Sequence, residues 1–441
     1  MSRDAFVGYP GPGQARTQAE LVAREQAARA ADARGKATEA RSARFELRDS
    51  LQQILYPRSA AFGRDGAYGP HPAHVAARRL RVCGSAPIDS GAPVTVRCGG
   101  ADGQAGAGYA NVQSCGSVSG CPVCAARVRQ HRAGEVDRAV LAAMGVVAMA
   151  DGSRQQLGVA FLTLTVAHDQ GDTLEEVFSL VASCWRKLLQ SRAGRVWSAR
   201  WGVVATVRAI EVTHGLNGWH PHLHILLFLG GGGLVDGADR ACEVEILALW
   251  RGQVAGHPKA DGTAWRLPSA QHGVVLEGVR TVADALAVSR YVCEVDDVDG
   301  QTRSVGLEVC RHDLKTGRRA QSRTPFEVAA EACDGDVASA HLWAEWVRAT
   351  KGRQFITFSA GFRERFELEV EKTDDQVVAE APGGEELVTI DLATWRVIVR
   401  CWGGRGVILE AAEALGSAGL RQTVEEIAAS RWRPPPGLVA A

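Results

Sequence analysis

The chain has 441 residues, 50 of them basic and 50 acidic, for a formal net charge of zero. That balance gives no general argument for a polyanionic partner, so any nucleic-acid surface has to be local. No apolar run reaches membrane-spanning length and the N-terminus has no apolar signal core, so a cytoplasmic protein without a membrane partner is expected.

The length predicts roughly two to four domains. The 11 cysteines of a cytosolic chain argue for metal or free thiols over a disulfide framework. Residues 1–73 open with Gly and Pro and continue as A-R-E-Q-A-A-R-A-A-D-A-R. Few large apolar residues occur there, which predicts a mobile arm. From His74 the character changes, and residues 74–135 read as a cysteine-rich module. Cys83, Cys98, Cys115, Cys121 and Cys124 fall in it, the last three in S-C-G-S-V-S-G-C-P-V-C-A-A-R-V-R. A C-x-x-C turn supplies two of the four ligands of a tetrahedral zinc. A redox pair is the alternative, but no thioredoxin-like β-α-β pattern surrounds it. Structural Zn²⁺ on Cys83, Cys115, Cys121 and Cys124 is therefore expected, with Cys98 or His131 as other choices for the fourth ligand.

Residues 136–366 read as the main domain. Gly158 to Val166, G-V-A-F-L-T-L-T-V, alternates with period two and predicts a central strand. A helix is predicted from Thr173 to Ser191, with Leu174, Val177, Phe178, Val181 and Trp185 on one stripe. A strand from Val203 to Thr213 then leads into E-V-T-H-G-L-N-G-W-H-P-H-L-H-I-L-L-F, Glu211 to Phe228. Asn217-Gly218 is the strongest short hairpin signal in it. With those two as the turn, Thr213 faces His222 and Glu211 faces His224. Alternation puts all four on one face. Two imidazoles and a carboxylate so placed suit a catalytic divalent metal. Two other readings stand beside this one. The histidines could decorate a solvated strand, or His220, His222 and His224 could form a histidine-triad nucleotide hydrolase motif, in which Pro221 is a poor strand residue.

Gly230 to Gly233 predicts a flexible loop, and Ala241 to Gln253 a helix. Thr281 to Glu294 predicts another, carrying Tyr291, the one tyrosine after the hairpin. Two basic stretches follow. Arg311 to Arg323 contains Lys315, Arg318 and Arg319. Lys351 to Phe366 interleaves Lys351 and Arg353 with Phe355 and Phe358. Cations can track phosphates while aromatic faces stack on bases, or the phenylalanines can be core. Residues 367–441 predict a small helical module, with Asp391 capping a helix through Trp395.

In order and spacing these segments resemble the rolling-circle replication initiators of plasmids from high-GC bacteria, within the HUH endonuclease superfamily. Phe161 to Thr165, F-L-T-L-T, is similar to the first family motif. Gly218 to Phe228 is similar to the second, which carries the metal histidines. Ser289 to Val292, S-R-Y-V, is similar to the third, which carries the nucleophile. Two further segments, C-G-S-x-x-x-C-P-V-C-A-A and T-K-G-R-Q-F-I-T-F-S-A-G-F-R-E-R-F, also match family stretches.

The resemblance implies an α+β fold, an antiparallel nickase sheet flanked by helices, between the zinc module and the helical module. It implies a Mn²⁺ or Mg²⁺ held by His222 and His224, with Glu211 as third ligand. Tyr291 would attack the origin strand, giving a 5′-phosphotyrosine and a 3′-hydroxyl primer. Arg290 or Lys315 would assist, and host helicase and polymerase would follow. Where the family commonly places a lysine after the nucleophile, this chain has Glu294. Two alternatives of other classes are a histidine-triad hydrolase with His222 as nucleophile and a non-catalytic zinc-containing DNA-binding regulator.

Overall fold

The computed structural model describes residues 39–55, 79–99, 106–145, 147–148, 153–232, 234, 238–279, 322–380 and 383–430. In chain order the main strands are β1 (Val94–Cys98), β2 (Ala107–Ala110), β3 (Gly158–Leu164), β4 (Val203–Gly215), β5 (Gly218–Leu229), β6 (Val274–Val279), β7 (Ile356–Phe358) and β8 (Glu385–Ile390). Five of them form one antiparallel sheet in the order β6-β3-β5-β4-β7. The predicted α+β class holds, with β5 rather than β3 at the centre.

Both faces of this sheet are covered, which is why its strands are apolar at nearly every position. One face packs Ala160, Leu162, Ile225 and Leu227 against the helices Leu174–Gln190 and Ala238–Ala255. The first of these helices starts at a Thr173 capping box and buries the stripe expected from sequence. The other face buries Val159, Phe161, Val207, Leu226 and Phe228 with Val136, Ala139 and Val140 of the helix Pro122–Met144 and with Phe362 and Phe366. Further along this second face the strands carry Thr163, Glu211, His224 and His222 in place of apolar residues.

The hairpin differs from the sequence reading in its turn. Gly215 pairs with Gly218, so Glu211 faces His222, Thr213 faces His220 and Ala209 faces His224. A primed turn on Asn217-Gly218 needs positive φ at both residues, but Gly218 alone has it, at 85°. That is the pattern of a type I turn closed by a left-handed glycine. The slip is two residues, so every side chain keeps its face.

Pro221 sits inside β5 opposite Val212. His214 and Ile210 send their backbone N–H groups away from β5, to Arg323 and Phe355. Val212 and Pro221 are thus a pair without mutual hydrogen bonds, and β3 ends opposite Leu223. The missing N–H of Pro221 therefore costs no ladder bond, which removes the objection to a proline there.

A second, three-stranded sheet has the order β8-β1-β2. It packs Val94, Val96 and Ile390 against Trp395, Ile398, Ile408, Leu409 and Leu420 from the helices Leu392–Ile398, Gly404–Ala414 and Gly416–Ala429. Asp391 caps the first of these helices as expected. Residues 367–441, expected as a small helical module, also contribute one strand, because β8 joins β1 from nearly 300 residues earlier in the chain. The mobile-arm reading is corrected as well for residues 39–55. They are helical, with Phe45, Arg48, Asp49 and Leu51 buried, and Phe45 belongs to the core of the second sheet. Among the described residues no helix is long and apolar enough to cross a membrane.

Candidate metal centres

Glu211, His222 and His224 form the first cluster. Glu211 comes from β4 and the histidines from β5. His224 Nε2 lies 2.7 Å and His222 Nε2 3.3 Å from the same carboxylate oxygen, Glu211 Oε2. Ligand atoms at about 2.0–2.2 Å from one ion and at right angles lie about 3 Å apart, so the three donors fit a common divalent cation. Glu211 and His224 are about 5% exposed, while His222 is half-buried and opens the cluster to solvent.

Each ring is held from behind. His224 Nδ1 lies 3.3 Å from Thr163 Oγ1, and its ring stacks on Phe161 with centroids 5.1 Å apart. His222 Nδ1 lies 3.4 Å from the His220 carbonyl. With each Nδ1–H donating to its partner, both Nε2 lone pairs face the carboxylate side, as metal ligation requires. Thr163 is a contributor the sequence reading missed. Its alternation with Phe161 on β3 was the available signal. Thr163→Val should keep the fold and weaken Mn²⁺ affinity by about 10–100-fold, checked by calorimetric titration. Unchanged affinity would remove Thr163 from the site.

His220 is not part of this cluster. Its Nδ1 lies 2.7 Å from His168 Nε2, and His168 Nδ1 lies 3.0 Å from the Asn217 carbonyl. Burial, then the neighbouring His222 and His168, push His220 down to about 3. His220 is thus a neutral support beside the triad.

Cys83, Cys115, Cys121 and Cys124 form the second cluster, all buried. Cys121 is the N-cap of the helix Pro122–Met144 and Cys124 lies in its first turn. The Sγ separations are 3.5 Å for Cys83–Cys124, 3.7 Å for Cys115–Cys124 and 3.8 Å for Cys83–Cys121. A zinc tetrahedron with Zn–S bonds of about 2.3 Å has edges of about 3.8 Å, whereas a disulfide needs about 2.05 Å. The donor set therefore fits a structural zinc. Neither Cys98 nor His131 belongs to the group; His131 faces Glu135 instead, at 3.4 Å.

The basic and aromatic segment is partly corrected. Phe355 is 3% exposed and packs against Phe178 and Trp346, with centroids 5.7 Å apart in both cases. It is a core residue and cannot stack on a base. Phe358 packs on Phe362 at 5.0 Å, under the Arg363 guanidinium. Arg353 donates to the Ala349 carbonyl at 2.6 Å and to Ser179 Oγ at 3.0 Å. Lys351 is exposed. Arg290, Tyr291, Glu294, Lys315, Arg318 and Arg319 lie outside the described residues.

Residues 109–233 match the family described as "Replication protein". That span contains the Glu211/His222/His224 triad and three of the four clustered cysteines. A protein named "Protein rep" from Streptomyces lividans is 26% identical over 363 residues, which cover 68% of this chain and 74% of that relative. No solved structure matches the chain.

Proposed function

Taking the chain as a plasmid replication initiator of the actinobacterial type, which those two similarities support, we propose that it nicks one strand at a plasmid origin through Tyr291. The observation that carries this reading is the convergence of His222 Nε2 and His224 Nε2 on one oxygen of Glu211. A divalent cation held there, Mn²⁺ by the imidazole content or Mg²⁺, would polarise a non-bridging oxygen of the scissile phosphate and offset its developing charge.

Tyr291 Oη forms the new bond to phosphorus as the bond from phosphorus to the 3′ oxygen breaks. The phenol gives up its proton and the departing 3′ oxygen takes one up, so the products are a 5′-phosphotyrosine and a 3′-hydroxyl. A free phenol ionises near pH 10, so a neighbouring cation is needed, and Arg290 or Lys315 supplies it in this reading. The ester keeps the phosphodiester energy for rejoining. The free hydroxyl primes a host polymerase. With no G-x-x-x-x-G-K-[ST] loop in the chain, unwinding falls to a host helicase, in the cytoplasm. Lys351, Arg318 and Arg319 are proposed to follow the DNA backbone.

Glu294 is proposed to act as general base on a water that hydrolyses the phosphotyrosine, since it lies one helical turn from Tyr291 in the predicted helix. In single-turnover reactions Glu294→Gln should form the adduct at least as fast and let it accumulate; an unchanged adduct lifetime would eliminate that role.

The reading as a whole is tested with a supercoiled plasmid carrying the origin. Mn²⁺ should convert it to the relaxed form and a chelator should stop the conversion. Relaxation that persists without divalent metal would refute it. The cysteine cluster is proposed to hold one Zn²⁺ per chain. Cys121→Ser should release that zinc and lower the unfolding midpoint by on the order of 10 °C. Elemental analysis finding no zinc in the wild-type protein would refute the assignment.

A further inference from the structure

We infer that Arg48 is the buried counter-cation of the cysteine cluster, and that metal binding there is what seats the N-terminal helical segment 39–55 on the rest of the chain. The inference rests on the reading of the four cysteines as a zinc site.

Arg48 is 2% exposed. Its Nε and Nη2 are buried with no hydrogen-bond partner among the described residues. Among the described residues one carboxylate is paired with it, Asp49, whose Oδ1 lies 3.6 Å from Nε. That same oxygen is paired with Arg405, and Asp49 Oδ2 accepts from the Gly403 N–H at 3.1 Å. One carboxylate thus stands against two buried guanidinium groups. A buried cation without an anion is strongly unfavourable, so this arrangement needs a further negative charge.

The cysteines are where that charge can come from. The Arg48 guanidinium lies over the Phe45 ring, 4.4 Å from its centroid, and it also lies against Gly84, the residue after Cys83. Gly84 has φ +63°, and a Cβ there would collide with the Arg48 guanidinium. Burial acts against the Arg48 cation, but Asp49 and then Cys83, Cys121 and Cys124 favour it enough to raise its pKa above the usual arginine value. Four thiolates on one Zn²⁺ carry two net negative charges, which supply the missing anion. Thiols that stay protonated supply none.

Arg405 and Gln52 fasten the same loop. Arg405 Nη1 donates to the Cys83 and Gly84 carbonyls at 3.3 and 2.6 Å, and Nη2 donates to Gln52 Oε1 at 2.9 Å. Gln52 Nε2 donates to the Leu80 and Cys83 carbonyls at 2.6 and 2.9 Å. Three segments far apart in sequence, 39–55, 80–84 and 404–414, therefore meet at the cluster. Arg48 acts through the metal-bound sulfurs, so it is a positioning residue.

The test compares wild type, Arg48→Met and Arg48→Lys by Zn²⁺ competition against a chromophoric chelator, and by thermal unfolding with and without EDTA. Arg48→Met should bind zinc on the order of 10–100-fold more weakly, and Arg48→Lys within a few-fold of wild type. The difference in midpoint between zinc-loaded and zinc-stripped protein should shrink in Arg48→Met, because the stripped form loses an uncompensated buried cation. Wild-type zinc affinity in Arg48→Met would overturn the inference. So would an equal fall of both midpoints, which is the signature of packing alone. If Arg48→Met does not fold, hydrogen exchange on wild type decides. Zinc removal should expose residues 39–50 well before the helix Leu174–Gln190, and continued protection of 39–50 would overturn the inference. A wild-type protein that carries no zinc fails earlier, at the zinc site itself.

Discussion

Tyr291→Phe should bind origin DNA as wild type does and form no covalent adduct, with nicking reduced by on the order of 10⁶-fold, the scale seen when a nucleophile is deleted. The substitution removes one hydroxyl and keeps the ring, so packing and DNA affinity give no reason for the loss. Gel-shift affinity and adduct yield on single-stranded origin DNA, measured on the same samples, separate the two effects. Nicking at even a tenth of the wild-type rate would mean that another group attacks the phosphate.

The second large effect is expected at His224. His224→Ala should cut nicking by at least about 10²–10³-fold, the range for losing a preorganised charge stabiliser, and should not be rescued by saturating Mn²⁺. The ring is 5% exposed, lies against Phe161 and is held by Thr163, so some stability is lost with it. Circular dichroism of the variant therefore accompanies the assay. His222→Ala removes a half-buried ring and should give a similar catalytic loss with less effect on folding. Wild-type nicking by either variant would remove the triad from the reaction.

The triad was legible in the sequence because a strand has a period of two. Glu211, His222 and His224 stay on one face under either turn, so misplacing the turn by two residues left the site intact. The turn itself was misread because Asn-Gly favours a primed turn locally, while the observed loop needs positive φ at Gly218 alone. The four cysteines were legible through the C-x-x-C spacing, and proximity singles out Cys83 from the other choices.

What was not legible depends on long-range pairing. β8 finds β1 across most of the chain, and no local pattern in E-E-L-V-T-I points to a partner. Likewise β7, three residues long, pairs with β4 from within a segment read as basic and aromatic. Phe355 resembled a stacking platform because its neighbours are charged, yet Phe178 and Trp346 enclose it. Nothing in the local sequence marks Arg48 or Arg405 as buried. Their burial follows from Asp49 and the cysteine loop, which lie far from Arg405 in sequence.

The central claim is that the chain cuts DNA by covalent catalysis on Tyr291. The most direct measurement is to incubate the protein with single-stranded origin DNA and Mn²⁺, isolate the complex that survives denaturation, and identify the modified peptide by mass spectrometry. The account predicts a 5′-phosphonucleotide on Tyr291. No adduct under turnover conditions, or a nucleotidyl group on His222, would contradict it.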